Sequence, residues 1–169
     1  MTVYVVGLDG ADWSLLRPWI EDGDLPTFAR ILDEGVSGDL ESTLPPVTFP
    51  AWKCYSTGKT PGKLGVDEWF SYDQETNKIM PNDASDFLSR EYWDVLADHG
   101  VRAGVVNMPP THPADAEGGV FVVAGSPANE RKQFTAPKSL KTELLEGVPD
   151  YRVKPDLVLD EATADELVK

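Results

Sequence analysis

Thr48 and Asp9 are the two side chains in this 169-residue sequence whose types and surroundings point to chemistry. Thr48 lies in Leu44-Pro45-Pro46-Val47-Thr48-Phe49-Pro50-Ala51-Trp52-Lys53-Cys54-Tyr55-Ser56-Thr57-Gly58. Pro45 and Pro46 enforce an extended approach, Pro50 suits a first helical turn, and Gly58 suits a helix end. The spacing predicts a short helix with Thr48 at its mouth. A hydroxyl there sits among backbone N–H groups without intrahelical partners, at the positive end of the helix dipole, which favours an incoming phosphate. The same residue would serve equally as an N-terminal cap, and the stretch alone does not decide between the two.

Asp9 follows Thr2-Val3-Tyr4-Val5-Val6-Gly7-Leu8, a β-branched apolar run of the kind buried in parallel sheets. Ligands of open α/β sheets gather beyond the carboxyl ends of such strands. A carboxylate there and a helix-mouth hydroxyl from the next unit can share one divalent metal ion, which lowers the hydroxyl's pKa and makes it a nucleophile.

Three stretches together carry a family resemblance: Gly7-Leu8-Asp9-Gly10, Pro45-Pro46-Val47-Thr48-Phe49-Pro50-Ala51-Trp52 and Ser56-Thr57-Gly58-Lys59-Thr60-Pro61-Gly62-Lys63-Leu64-Gly65-Val66. The chain resembles the amino-terminal part of the alkaline phosphatase superfamily, in its type I phosphodiesterase/nucleotide pyrophosphatase branch. Val105 to Pro113 extends the likeness as a strand followed by a proline-bounded loop, although the block from Leu44 to Val66 is the specific one. The resemblance implies that Asp9 binds metal and that Thr48 is the metal-bound nucleophile. It also implies divalent metal cofactors, two zinc ions with manganese as the alternative. Phe49, inside the motif, and Lys53, one turn into the helix, are the candidate substrate-binding residues. Lys53 would reach a phosphate; its alternative is a merely solvated side chain.

Two departures qualify that reading. Many nucleotide pyrophosphatases of the group carry asparagine just after Thr-Phe-Pro, where this chain has Ala51. The family's remaining aspartate and histidine ligands have no counterpart that can be placed here, and His99 and His112 are the only histidines. A truncated relative that binds phosphate or a partner without turnover is therefore the alternative to an enzyme, and activity of these 169 residues alone is expected to be negligible.

Composition narrows the classes further. With 41% hydrophobic residues the chain can bury a sizeable core. No apolar run has membrane-spanning length and no signal-peptide pattern opens the chain, so the expected location is cytoplasmic. One cysteine, Cys54, excludes an internal disulfide and a multi-cysteine metal cluster, and it lacks the Cys-x-Pro-x-Arg setting of sulfatases. The 29 acids against 15 bases give a net charge of −14. That charge disfavours duplex nucleic acid and anionic membranes as partners, and the resemblance implies a phosphate-ester small molecule as the substrate. Because the acids are spread along the whole chain, a halophilic source is expected. Bound metal would supply the local positive charge that an anionic substrate needs.

The elements that must position Asp9 and Thr48 follow from periodicity. Leu25, Phe28, Ile31 and Leu32 share one face of a helix begun at Pro26 and stopped by Gly35, expected as a crossover covering the sheet. Asp12 is expected to cap a helix, since the Asp9 to Asp12 spacing is one residue too long for the Asp-x-Asp pair of haloacid dehalogenases. Gly58-Lys59-Thr60 imitates the end of a P-loop, but Lys53 stands where a glycine is required. Residues 90–97 read as an amphipathic helix, so Asp98-His99-Gly100 falls at its carboxyl end rather than forming a metal pair. Residues 101–108 and 119–124 read as parallel strands, with Asn107 and a structural His112 in the loop between. Residues 67–73 are expected to pack a sheet edge. Residues 137–145 read as a helix, 151–153 as a short extended piece, and 160–169 as a helix barely begun. The expected whole is an α/β fold with a mostly parallel sheet flanked by helices. It corresponds to residues 1–169 as the amino-terminal portion of one alkaline-phosphatase-like catalytic domain, with a further carboxyl-terminal part expected beyond it.

Repulsion among the 29 acids is relieved when salt screens it. The thermal midpoint is therefore expected to rise from low to molar potassium chloride. A flat or falling midpoint would remove the halophilic reading.

Overall fold

Asp12 starts the first regular element of the structure, a computed structural model that describes residues 2–154. Its carboxylate accepts the Ser14 N–H at 2.7 Å and so caps α1 (Trp13–Glu21), as the sequence predicts. Hydrogen bonds from Ser14 hold the Asp12 carboxyl below its ordinary pKa. Helix α2 (Pro26–Glu34) begins on Pro26 and ends at Gly35, whose N–H reaches the Ile31 carbonyl at 2.9 Å. Leu25, Phe28 and Leu32 are half-buried along it, while Ile31 is exposed.

These helices belong to the first of two compact units, Met1–Ser42 and Thr43–Lys169. In the first unit the run 2–8 departs from expectation. It has no strand assignment, and Val3, Tyr4, Val5, Val6 and Leu8 are all exposed. β-Branched composition expresses a preference for extended backbone, but a strand exists only through a hydrogen-bonded neighbour. Among the described residues none pairs with this run.

The second unit begins with α3 (Thr48–Thr57), ended by Gly58 in the left-handed conformation at φ 66°, and the single turn α4 (Pro61–Leu64). An antiparallel hairpin follows, β1 (Phe70–Asp73) against β2 (Lys78–Pro81). Buried Asn82 pins it, with its amide donating to the Glu68 carbonyl at 2.8 Å and its side-chain oxygen accepting from Ser71 Oγ at 2.5 Å. Helix α5 (Tyr92–Asp98) ends at His99 and Gly100, in agreement with the helix-end reading of that tripeptide.

A three-stranded sheet completes the unit. β3 (Ala103–Val106) pairs in parallel with β4 (Val120–Val123), and β4 pairs antiparallel with the short β5 (Thr135–Ala136). The mixed α/β class thus holds, but "mostly parallel" does not describe the pairings present, two of which are antiparallel. Pro137 ends β5 because it has no N–H for the ladder. Helix α6 (Leu140–Gly147) then packs beside β5. Tyr151 to Val153 form no strand, although Val153 is buried and its N–H reaches the Glu130 carboxylate at 2.7 Å. The helix expected over 160–169 lies outside the described residues. Among the described residues no helix is long and apolar enough to cross a membrane.

Two clusters form the core. Trp93, Val105, Val122, Phe134 and Val153 pack around the sheet, and Phe49, Leu64, Val66 and Phe87 pack beneath α3. β3 buries Val105 and leaves Val106 exposed, whereas β4 leaves Phe121 exposed but buries the consecutive Val122 and Val123, so β4 is covered on both faces only toward its carboxyl end. At their carboxyl ends the backbone approaches itself closely: the Asn107 N–H bonds the Val123 carbonyl at 2.8 Å, and the Gly125 N–H bonds Thr111 Oγ1 at 3.0 Å. A Cβ on Gly125 would stand 2.7 Å from the Asn107 carbonyl oxygen and 2.9 Å from the Met108 carbonyl carbon. Because backbone cannot yield as a side chain tip can, Gly125→Ala is expected to destabilise the protein by about 1–3 kcal/mol in urea unfolding. An unchanged midpoint would show that this loop relaxes freely.

Candidate active site

Helix α3 presents Thr48 as its first residue, half-buried. Val47, in extended conformation at φ −108° and ψ 134°, occupies the capping position, and its carbonyl accepts the Ala51 N–H at 3.0 Å. The N-cap alternative for Thr48 is therefore corrected by one residue. Pro50 has no N–H, and the Ala51 N–H is already used, so the expected cradle of amides beyond Thr48 reduces to that of Phe49.

Phe49, Lys53 and Ser56 recur at helical spacing and are all buried. The Phe49 ring lies against Trp69, with centroids 3.9 Å apart and planes tilted by 37°. Trp69 therefore packs against α3 rather than against a sheet edge as expected for the acidic–aromatic stretch, while Phe70 and Tyr72 beside it are exposed. Lys53 is 2% exposed, which overturns the solvated alternative. Its ammonium pairs with the Glu91 carboxylate and stands 5.4 Å from the centroid of the Phe87 ring. A buried ammonium needs such a partner, because desolvating it unpaired is strongly unfavourable. Glu91 is also the N-cap residue of α5, where its N–H bonds the Asp94 carboxylate at 2.9 Å. Sequence reading missed Glu91 altogether. The available signal was a lysine in register with Phe49 and Ser56 on a core-facing stripe, which demands a buried acid elsewhere.

Asp9 belongs to the other unit, exposed in a turn completed by Gly10 at φ 68°. Thr48, Phe49 and Lys53 thus share one helix, and Asp9 does not share their unit. Cys54 is half-buried, and burial pushes its thiol pKa up, which suits a packed residue rather than a nucleophile. His99 lies in contact with the Val95 carbonyl through Nδ1 at 2.8 Å, and Asp98 pairs with Arg90 at 2.8 Å. Both are thus engaged at their helix end. His112 lends its carbonyl to the Ala84 N–H at 2.8 Å, and burial, with Lys132 second, lowers its imidazole pKa. Its Nδ1 is buried without a hydrogen-bond partner among the described residues.

No group of three or more His, Cys, Asp or Glu side chains is placed to hold an ion among the described residues.

The family model described as "Type I phosphodiesterase / nucleotide pyrophosphatase" matches residues 3–166. No curated protein and no solved structure matches the chain.

Glu91→Leu would leave the Lys53 ammonium buried and unpaired, and is expected to destabilise by about 3–5 kcal/mol in chemical denaturation. Adding Lys53→Met should recover most of that loss. A single variant as stable as the parent would mean that Lys53 escapes to water.

Proposed function

Because the chain belongs to the type I phosphodiesterase/nucleotide pyrophosphatase family, we propose that it takes part in hydrolysis of a phosphodiester or pyrophosphate bond through a covalent threonine intermediate. The observation that carries the reading is the family match over residues 3–166, which includes the Thr48-Phe49-Pro50 motif at the start of α3. Thr48 Oγ1 gives up its proton and attacks phosphorus, the bond to the leaving oxygen breaks and that oxygen departs as an alcohol or phosphate group, and water then cleaves the threonine–phosphorus linkage, releasing the remaining phosphate monoester and returning a proton to the threonine hydroxyl. The Phe49 N–H, at the positive end of the ten-residue α3, supports negative charge developing on the phosphoryl oxygens.

The family is typically metal-dependent. On the family likeness Asp9 and Thr48 are each proposed as a ligand for zinc or manganese. The substrate is a small phosphate ester rather than duplex nucleic acid, consistent with a net charge of −14.

The test is hydrolysis of a chromogenic phosphodiester by the natural protein with added zinc or manganese. Thr48→Val is expected to lower turnover by at least about a thousandfold, as loss of a nucleophile does, while leaving the thermal midpoint close to the parent's. Full turnover in Thr48→Val would discard the nucleophile assignment.

A further inference from the structure

Helix α3 is held very differently along its length. At its first turn Phe49 is locked into an apolar cluster with Leu64, Val66 and Phe87. In its middle the buried contact toward the start of α5 is the ion pair of Lys53 with Glu91, while on the outer side Tyr55 meets Tyr92 edge-on. Lys53 and Glu91 both line a cavity of about 470 Å³, shared with Ser85, Trp93, Asp94 and Thr111. Close packing is therefore interrupted on the inner side of the helix, where apolar contact contributes little to the distance from α3 to the start of α5.

An ion pair can fix that distance. Apolar burial is non-directional, whereas a buried ammonium and carboxylate must meet at hydrogen-bond separation or both lose solvation without return. The pair also has a fixed base at each end. Glu91 is held by its own N–H to the Asp94 carboxylate at 2.9 Å, and the Lys53 carbonyl accepts the Thr57 hydroxyl at 2.6 Å in the last turn of α3.

We propose that the Lys53–Glu91 ion pair is a positioning device for Thr48, fixing the rotation and height of α3 while neither group touches the phosphate. The proposal rests on the reading of Thr48 as nucleophile. It assigns Lys53 a role in orientation, in place of the phosphate contact that its position in the sequence suggests. Thr48 and Lys53 are five residues apart, well off one another's helical face, so the lysine acts through the helix as a rigid body.

The experiment compares the natural protein with Lys53→Met/Glu91→Leu, which replaces the pair by apolar groups. It measures steady-state phosphodiester hydrolysis and hydrogen exchange of the α3 amides. A positioning role predicts that kcat falls by at least about tenfold with KM within about twofold. It also predicts that α3 amides exchange at least about tenfold faster while those of β4 do not. Glu91→Gln, which keeps the shape and removes the charge, is expected to show the same split at about threefold or more and covers the case in which the double variant does not fold. A rise in KM at constant kcat would overturn the proposal in favour of substrate contact, and unchanged kcat with unchanged α3 exchange would reduce the pair to packing. If Thr48→Val turns over like the parent, the nucleophile reading fails by itself. The α3 exchange then decides whether the ion pair holds the helix.

Discussion

The burial of one stripe of α3 is the constraint on which the second unit depends. Phe49, Lys53 and Ser56 all face inward from a ten-residue helix, and each requires a different kind of partner. Phe49 needs apolar surface and finds it in Leu64, Val66, Phe87 and the ring of Trp69. Lys53 needs an anion and finds Glu91. Ser56 needs an acceptor and bonds the Lys53 carbonyl at 3.2 Å. Ser56 is thus satisfied within α3 itself, while satisfying Phe49 and Lys53 fixes where α4, Trp69 and the start of α5 can lie.

That arrangement couples distant parts of the sequence to Thr48. Asn82 secures the stretch from Glu68 to Ser71, and the same stretch places Trp69 on Phe49. The Leu88 N–H bonds the Leu64 carbonyl at 3.2 Å and carries the chain from the apolar cluster toward Glu91. Aromatic edges continue the contact on the outer side: Tyr55 meets Tyr92, and Tyr92 meets Trp93. Burial, followed by the influence of Tyr55, pushes the Tyr92 phenol up to about 12, so it stays neutral across physiological pH. The helix that begins with Thr48 is thus supported by neutral aromatics outside and one ion pair inside.

The acidic balance of the chain gives this ion pair further meaning. With 29 acids and 15 bases, most carboxylates must face water or pair with one another's helix ends. Asp12, Asp83 and Asp94 do the latter, each bonding backbone N–H groups at the start of a helical turn. Such local capping costs little, since the side chain remains near solvent. Burying Lys53 with Glu91 is a different kind of contact. Its geometry is demanding, and it secures position more than stability.

Local signals were legible from residue order alone. The cap at Asp12, the stop at Gly35, the opening and closing of α3 between Pro46 and Gly58, and the helix end at Asp98-His99-Gly100 each depend on a few neighbouring residues. So does the specific part of the family likeness, the block from Leu44 to Val66. The two parallel strands β3 and β4 were legible as well, because their apolar runs find each other. What sequence could not decide was partnership across distance. It predicts a strand at 2–8 but not a neighbour for it, a mostly parallel sheet but not the antiparallel pairing of β5, and a lysine either reaching phosphate or solvated but not its burial against Glu91. The physical reason is one of range: caps, turns and helical stripes are closed by contacts within a few residues, whereas pairing of strands and of buried charges is settled only when remote segments compete for the same space.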